Sequence, residues 1–251
     1  MDVIRDFQTV YTMWLREMLR FKRAKSRIVG SLATPLFFLI ILGTAIGSSY
    51  NVGNYREFMA PGIIAMALLF SSIFGGVSII WDREFGFLKE ILIAPVNRFF
   101  VAIGKAFGGV TTAMIQGILL MIIAGSVGVE YQSSIGVLAS IPIMFIIGVG
   151  FISLGIALAS RIESHEGFQM VMNFFTMPLV LLSGAFFPIS QLPTWLKTAV
   201  YLNPLTYGVE ALRWALLGEP EIPITICMTA LLSFAFITTF IGSWLFGRAK
   251  V

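Results

Sequence analysis

The chain has 251 residues, 57% hydrophobic and 12% charged, whereas a soluble domain carries roughly a quarter charged residues, so the composition excludes a soluble domain or a disordered chain and points to a membrane. Seventeen Lys and Arg against thirteen Asp and Glu give +4; at a mean hydropathy of +0.90 this reads as membrane topology and not as nucleic-acid binding. One cysteine, Cys227, and one histidine, His165, exclude an internal disulfide and a Cys/His metal cage built from this chain alone.

In residues 1–27, Val3, Phe7, Val10, Tyr11, Trp14, Leu15 and Met18 recur at three- and four-residue steps opposite Arg5, Asp6, Gln8, Thr12, Arg16, Glu17 and Arg20. That pattern predicts an amphipathic helix. With Lys22, Arg23, Lys25 and Arg27 behind it, the helix is expected to lie in the membrane interface, as an anchor or as a docking platform for a partner. No cleavable signal peptide is expected.

Residues 28–251 read as one membrane domain. A helix needs about 20 apolar residues to cross a bilayer core, and six runs of that kind occur: Ile28–Tyr50, Phe58–Ile80, Phe99–Ser126, Ile135–Ser160, Phe168–Phe187 and Ile222–Phe246. They are continuous and show no two-residue alternation, which predicts helices and excludes a barrel. Pro35 and Pro178 are expected to kink the first and fifth. The pairs Gly43/Gly47 and Gly104/Gly108 suit close helix packing or, less simply, a dimer seam.

Between the second and third runs, residues Trp81 to Arg98 predict a short helix with an apolar patch of Phe87, Leu88, Ile91 and Leu92, stopped by Pro95. It could be a solvated loop or a projection gripped by a soluble partner. After the fifth run, Pro193, Pro204 and Gly218 predict two short helices. Trp195, Tyr201, Tyr207 and Trp214 are expected at the outer interface, and Glu210 and Arg213, three apart, are expected to pair.

Counting Lys and Arg by side gives fourteen on the side of the termini, the second-to-third connection with the start of the third span, and Arg161, and three on the other face. Both termini are therefore expected in the cytoplasm. The interiors of the runs offer neutral groups such as Gln116, Gln169, Asn173 and Thr176, leaving no evident seat for a coupling ion. No G-x-S-x-G and no G-x-x-x-x-G-K-[ST] occurs, so neither a serine nucleophile elbow nor a phosphate loop is expected in this chain. His165 is read as a residue of a solvated turn.

Two stretches carry a resemblance. Glu84-Phe85-Gly86-Phe87-Leu88-Lys89-Glu90-Ile91-Leu92-Ile93-Ala94-Pro95-Val96-Asn97-Arg98 resembles the segment between spans two and three of ABC-2 type permeases. Ser183-Gly184-Ala185-Phe186-Phe187-Pro188, then Leu192-Pro193-Thr194-Trp195 and Asn203-Pro204-Leu205-Thr206-Tyr207, ending in Glu210 and Arg213, is similar to the family's stretch before the last span, with Glu210 where the family usually has Asp.

The resemblance implies an all-α integral membrane fold with six spans, an N-terminal interface helix, a cytoplasmic coupling helix and two short re-entrant outer helices. It implies that Glu84, Gly86, Phe87, Leu88, Glu90, Ile91, Pro95 and Arg98 dock a separate ATPase, two copies of which hold the ATP and Mg and do the hydrolysis. It also implies a homodimer of permeases in the cell membrane with the path between the halves. If spans one, two and five line that path, Phe37, Phe38, Met59, Met66, Phe70, Asn173, Phe174 and Met177 offer adaptable surface for an amphiphilic, drug- or lipid-like substrate; the same residues fit plain helix packing. The outer motif would comprise Gly184, Phe187, Pro188, Pro193, Asn203, Pro204, Tyr207, Glu210 and Arg213. Polysaccharide or glycolipid export is the alternative within the family; an ion-coupled carrier or an assembly protein is the alternative outside it.

Overall fold

The computed structural model describes residues 3–50, 55–84, 98–162 and 164–248, and the regular structure among them is helical. Helix α1 (Val3–Arg23) is followed by α2 (Lys25–Phe37) and, through a π-helical turn at Phe38–Leu42, by α3 (Gly43–Tyr50). Then come α4 (Tyr55–Gly75), α5 (Val77–Glu84), α6 (Arg98–Ser126), α7 (Ser134–Ala159) and α8 (His165–Leu181). Two short helices, α9 (Thr194–Leu202) and α10 (Pro204–Leu217), precede α11 (Ile224–Gly247).

Five helical stretches among the described residues are long and apolar enough to cross a membrane: Ile28–Gly47, Tyr55–Asp82, Phe99–Ser126, Ser134–Ala159 and Ile224–Gly247. They correspond to the expected first, second, third, fourth and sixth spans. The expected fifth span, residues 168–187, is different. Helix α8 has 17 residues, about 25 Å at 1.5 Å per residue, which is short of a core of about 30 Å. It stops because the chain turns at Gly184, whose φ is +71°, a conformation that glycine adopts without steric cost. Ala185 and Phe186, apolar enough to extend a hydropathy run, are instead buried against protein.

Helix α4 is apolar all round, and such a helix belongs at the centre of a bundle. Its stretch is 76% buried, against 17% for the first and 22% for the last, and α6, α7, α10 and α2 surround it. At the α4–α5 junction, Gly76 and Gly155 of α7 bring two backbones together: a Cβ on Gly76 would lie 2.6 Å from the Gly155 carbonyl. Small residues at a crossing allow that approach.

Proline leaves its marks on the first stretch. Pro35 has no N–H to donate and its ring displaces the carbonyl four residues back; the hydrogen-bond register widens to the π form three residues later, at Phe38–Leu42. Pro178 is accommodated inside α8.

The N-terminal helix packs along α6, and the glycine pair of the third span explains how. A Cβ on Gly104 would meet Met13 Cβ at 2.6 Å and Val10 O at 2.8 Å; one on Gly108 would meet Glu17 Cβ at 2.6 Å. Trp14 Nε1 donates to Thr111 Oγ1 at 3.1 Å. Gly104 and Gly108 thus seat a helix of the same chain. The apolar side of α1 divides: Met13 joins the core, whereas Ile4, Phe7, Tyr11, Leu15 and Leu19 stay exposed.

Candidate functional site

The end of the bundle expected to face the cytoplasm is organised around Asp82, in the last turn of α5. Its side chain is 1% exposed, so its charge needs partners. It has three: Oδ1 accepts from Arg16 Nη2 at 2.5 Å and from Arg20 Nη2 at 2.9 Å, and Oδ2 accepts from Lys105 Nζ of α6. Lys105 is 3% exposed. Arg20 also donates to Glu17 at 3.3 Å. One carboxylate therefore ties the N-terminal helix to the ends of the second and third spans, immediately before the chain enters residues 85–97.

Gly86, Phe87, Leu88, Glu90, Ile91 and Pro95, expected to dock an ATPase, lie outside the described residues. Glu84 is the last residue of α5 and Arg98 the first of α6, so the two helices joined by the Asp82–Lys105 pair are the two that flank this segment.

Beside the Asp82 cluster, two chambers of ≈430 and ≈530 Å³ meet at Ser71, Trp81 and Gln116. Gln116 Nε2 donates to Ser31 Oγ of α2 at 2.9 Å. The larger chamber lies between α2, α4, α5, α6 and α8, and Phe70, Thr34, His165 and Gln169 line it. Of the residues expected along a path, Phe70 is on this wall, whereas Met59 and Met66 are buried inside the monomer. Phe37, Phe174 and Met177 are exposed apolar side chains, at 59%, 76% and 60%, Asn173 is also exposed, and Phe38 packs edge-on against Phe186. His165 differs from its reading as a solvated turn residue: it opens α8, lies against Trp81 with the rings tilted at 32° and their centroids 5.7 Å apart, and contacts Gln169 at 3.2 Å.

At the opposite end, the Asn-Pro-Leu-Thr motif caps α10 and closes α8 at once. Asn203 Oδ1 accepts from Leu205 N at 2.9 Å, with Pro204 in the first turn, while Asn203 Nδ2 donates to Leu179 O at 2.7 Å. Thr206 Oγ1 donates to Leu182 O at 3.2 Å and to Val200 O at 2.8 Å. The bonds to Leu179 O and Leu182 O satisfy carbonyls at the end of α8, and the bond to Val200 O one at the end of α9. Pro193 precedes the first turn of α9, Pro188 that of a 3-10 turn at Ile189–Gln191, Phe187 is exposed, and Tyr207 donates to Tyr201 O at 2.7 Å.

Glu210 and Arg213, one turn apart on α10, pair through Oε1 and Nη1. Arg213 Nη2 also donates to Gly184 O at 2.9 Å, and the guanidinium lies over the Phe58 ring at 4.3 Å. Glu210 Oε2 accepts from Glu221 N at 2.6 Å and, at 3.4 Å, from Ile222 N. Burial pushes the Glu210 carboxyl above its usual range, and Arg213 and these N–H donors pull it back. Glu221 in turn accepts from the backbone N–H groups of Ile189 and Ser190 at 3.1 and 2.7 Å. Bonded to the backbone of two loops, at Gly184 and at Glu221–Ile222, and lying over an aromatic ring, this pair has the contacts of a structural tie. A polar cleft of ≈740 Å³ opens beside it, with Glu57, Glu130, Glu219 and Glu221 on its wall.

The Asp82 cluster has no counterpart among the expectations from sequence, which place Lys105 at the start of the third span as one of the cytoplasmic cations. A lysine inside an apolar run signals a buried counter-charge, and Asp82, at the other end of the same connection, was the available acid. Glu221 carries no motif signal.

The family model of the ABC-2 type transporter matches residues 8–217. Similar proteins include the putative transport permease ycf38 of Cyanophora paradoxa, 29% identical over 213 residues that cover 82% of this chain and 73% of the relative. Nodulation protein J of Rhizobium leguminosarum bv. trifolii is 26% identical, with 94% of this chain and 92% of the relative covered. The inner membrane transport permease YadH of Escherichia coli (strain K12) is 26% identical, with 89% and 88% covered.

Proposed function

The chain belongs to the ABC-2 type transporter family, and from that premise we propose that it is the permease subunit of an exporter driven by a separate ATPase. Two copies of this chain would form the membrane unit, with the path between them, and two ATPase copies would bind ATP and Mg. Both termini would be cytoplasmic in the cell membrane, and α8, with the turn after it, would serve as the fifth of six crossings, its end completed by the α9–α10 pair.

One observation carries the reading. Asp82 is buried at the point where α5 leads into residues 85–97 and holds Arg16, Arg20 and Lys105. A push on that segment would move α5, α6 and the N-terminal helix as a unit, because separating them leaves a buried charge without partners. A loop with no mechanical role needs no such joint.

The transported molecule is proposed to be amphiphilic. In support, the chambers beside the cluster combine aromatic walls, Phe70 and Trp81, with hydroxyl and amide groups. Reconstitution of this chain with its ATPase in proteoliposomes tests the proposal: an amphiphile should accumulate on the side away from the ATPase only when ATP is supplied. Accumulation on a proton or sodium gradient without ATP would contradict it.

A further inference from the structure

Helix α8 is held firmly at one end and lightly at the other. Within this chain one stripe of it is buried, Phe168, Met172, Thr176 and Val180 at four-residue steps, and its main neighbours among the described residues are α4 and α5. At the outer end, Asn203, Thr206 and Arg213 donate to Leu179 O, Leu182 O and Gly184 O. Pro178 lies just inside that end, and because it has no N–H to donate, the helix yields most easily there.

At the inner end the hold is a ring contact. His165, in the first turn, lies against Trp81 of α5. Its Nε2 meets Gln169 of α8 itself at 3.2 Å, and its Nδ1 is buried without a hydrogen-bond partner. A buried polar atom left unpaired costs free energy, so the His165 ring gains from any shift of α8 that gives Nδ1 a partner. Two rings in contact also tolerate a change of tilt, whereas a hydrogen bond between the helices would weaken steeply with angle. The five residues 160–164 that join α8 to α7 leave room for such a shift.

Trp81 adjoins Asp82, which holds Arg16, Arg20 and Lys105, and α5 leaves α4 at Gly76, which is pressed against Gly155. A push on residues 85–97 would displace the far end of α5, and Trp81 with it, relative to Gly76. Helix α8 has 17 residues, about 25 Å, so a displacement of about 3 Å at His165 tilts it by about 7° around its fastened outer end. Trp81, His165 and Gln169 all line the larger, inner chamber, and the tilt changes its width.

We infer that His165 is a positioning residue of the transport cycle: its ring against Trp81 passes the movement of α5 to the inner end of α8, and the tilt of α8 sets the width of the inner chamber. The inference rests on the permease reading and adds the step between the coupling segment and the chamber.

The test uses the full chain with its ATPase in nanodiscs and carries Ser71→Cys as reporter. Ser71 lies on α4 where the two chambers meet, and the native cysteine, Cys227, is buried, so the rate of reaction with a soluble maleimide follows access to the chamber. Rates are compared without nucleotide and with ATP and vanadate. With native His165 the rate should change about fivefold or more, the lower end of usual coupling between sites, and with His165→Ala by less than about twofold. His165→Phe, which keeps a ring against Trp81, should restore the native response; His165→Gln, which keeps only a polar group beside Gln169, should not. A native-like response in His165→Ala, or equal responses in His165→Phe and His165→Gln, would overturn the inference and leave the coupling reading standing. No response to ATP in the chain with native His165 would overturn that reading and the inference with it.

Discussion

Lys105 of α6 donates to Asp82 of α5, and both side chains are almost fully buried. Each is the other's reason for being there, but the pair is asymmetric. Asp82 keeps Arg16 and Arg20 if Lys105 is lost, whereas Lys105 has Asp82 as its partner and is held in a site that disfavours charge.

Asp82→Asn should therefore destabilise the purified protein by about 3–5 kcal/mol, the usual cost of leaving a buried charge alone. Lys105→Met should cost less, and the double variant should recover most of the loss. Thermal unfolding in detergent measures all three. Equal losses in the two single variants would contradict the asymmetry.

Gly104→Leu should lift α1 from α6. The added side chain must displace Val10 O and Met13, an overpacking expected to cost about 1–3 kcal/mol. Trypsin should then cut faster between Arg20 and Arg27, while Arg56, at the opposite end of α4 from the Gly75–Gly109 contact with α6, keeps its protection. An unaltered digestion rate would show that the helix is seated elsewhere.

At the other end, Arg213→Lys should not rescue what Arg213→Met loses. The planar guanidinium serves Glu210 and Gly184 O at the same time and lies over Phe58, and an ammonium cannot span that fork. Both variants should lower the unfolding midpoint, with losses of about 3 kcal/mol or more for the methionine. Full stability in the lysine variant would mean that charge alone matters here.

Gly184→Ala should destabilise by about 1–2 kcal/mol, the cost of a left-handed conformation for a residue with a Cβ. It should also weaken the Arg213 contact, since the turn delivers its own carbonyl to that guanidinium. A double cycle of Gly184→Ala with Arg213→Met measures the coupling, and additive losses would deny it.

Much of the fold was legible because lipid asks for long apolar helices: five of the six expected runs have a helix of spanning length. The remaining run, the fifth, was overextended, since hydropathy does not register a turn whose apolar residues, Ala185 and Phe186, are buried by protein. Glu210 with Arg213 was readable from spacing, for residues three apart share a helix face. Asp82 with Lys105 was not, because their contact depends on how two helices leave one connection. Gly104 and Gly108 announced a close approach but not its occupant, the N-terminal helix. His165 has the sequence context of a turn residue, and only the packing of α5 against α8 brings it beside Trp81 on the wall of the inner chamber.

The most direct measurement is ATP hydrolysis by the partner ATPase co-purified with this chain, with and without an amphiphile. If residues 84–98 carry force to the Asp82 joint, amphiphile should stimulate hydrolysis with the native chain, and Leu88→Asp should abolish both stimulation and co-purification while the membrane domain keeps its unfolding midpoint. Unchanged co-purification and unchanged stimulation with Leu88→Asp would contradict coupling through this segment.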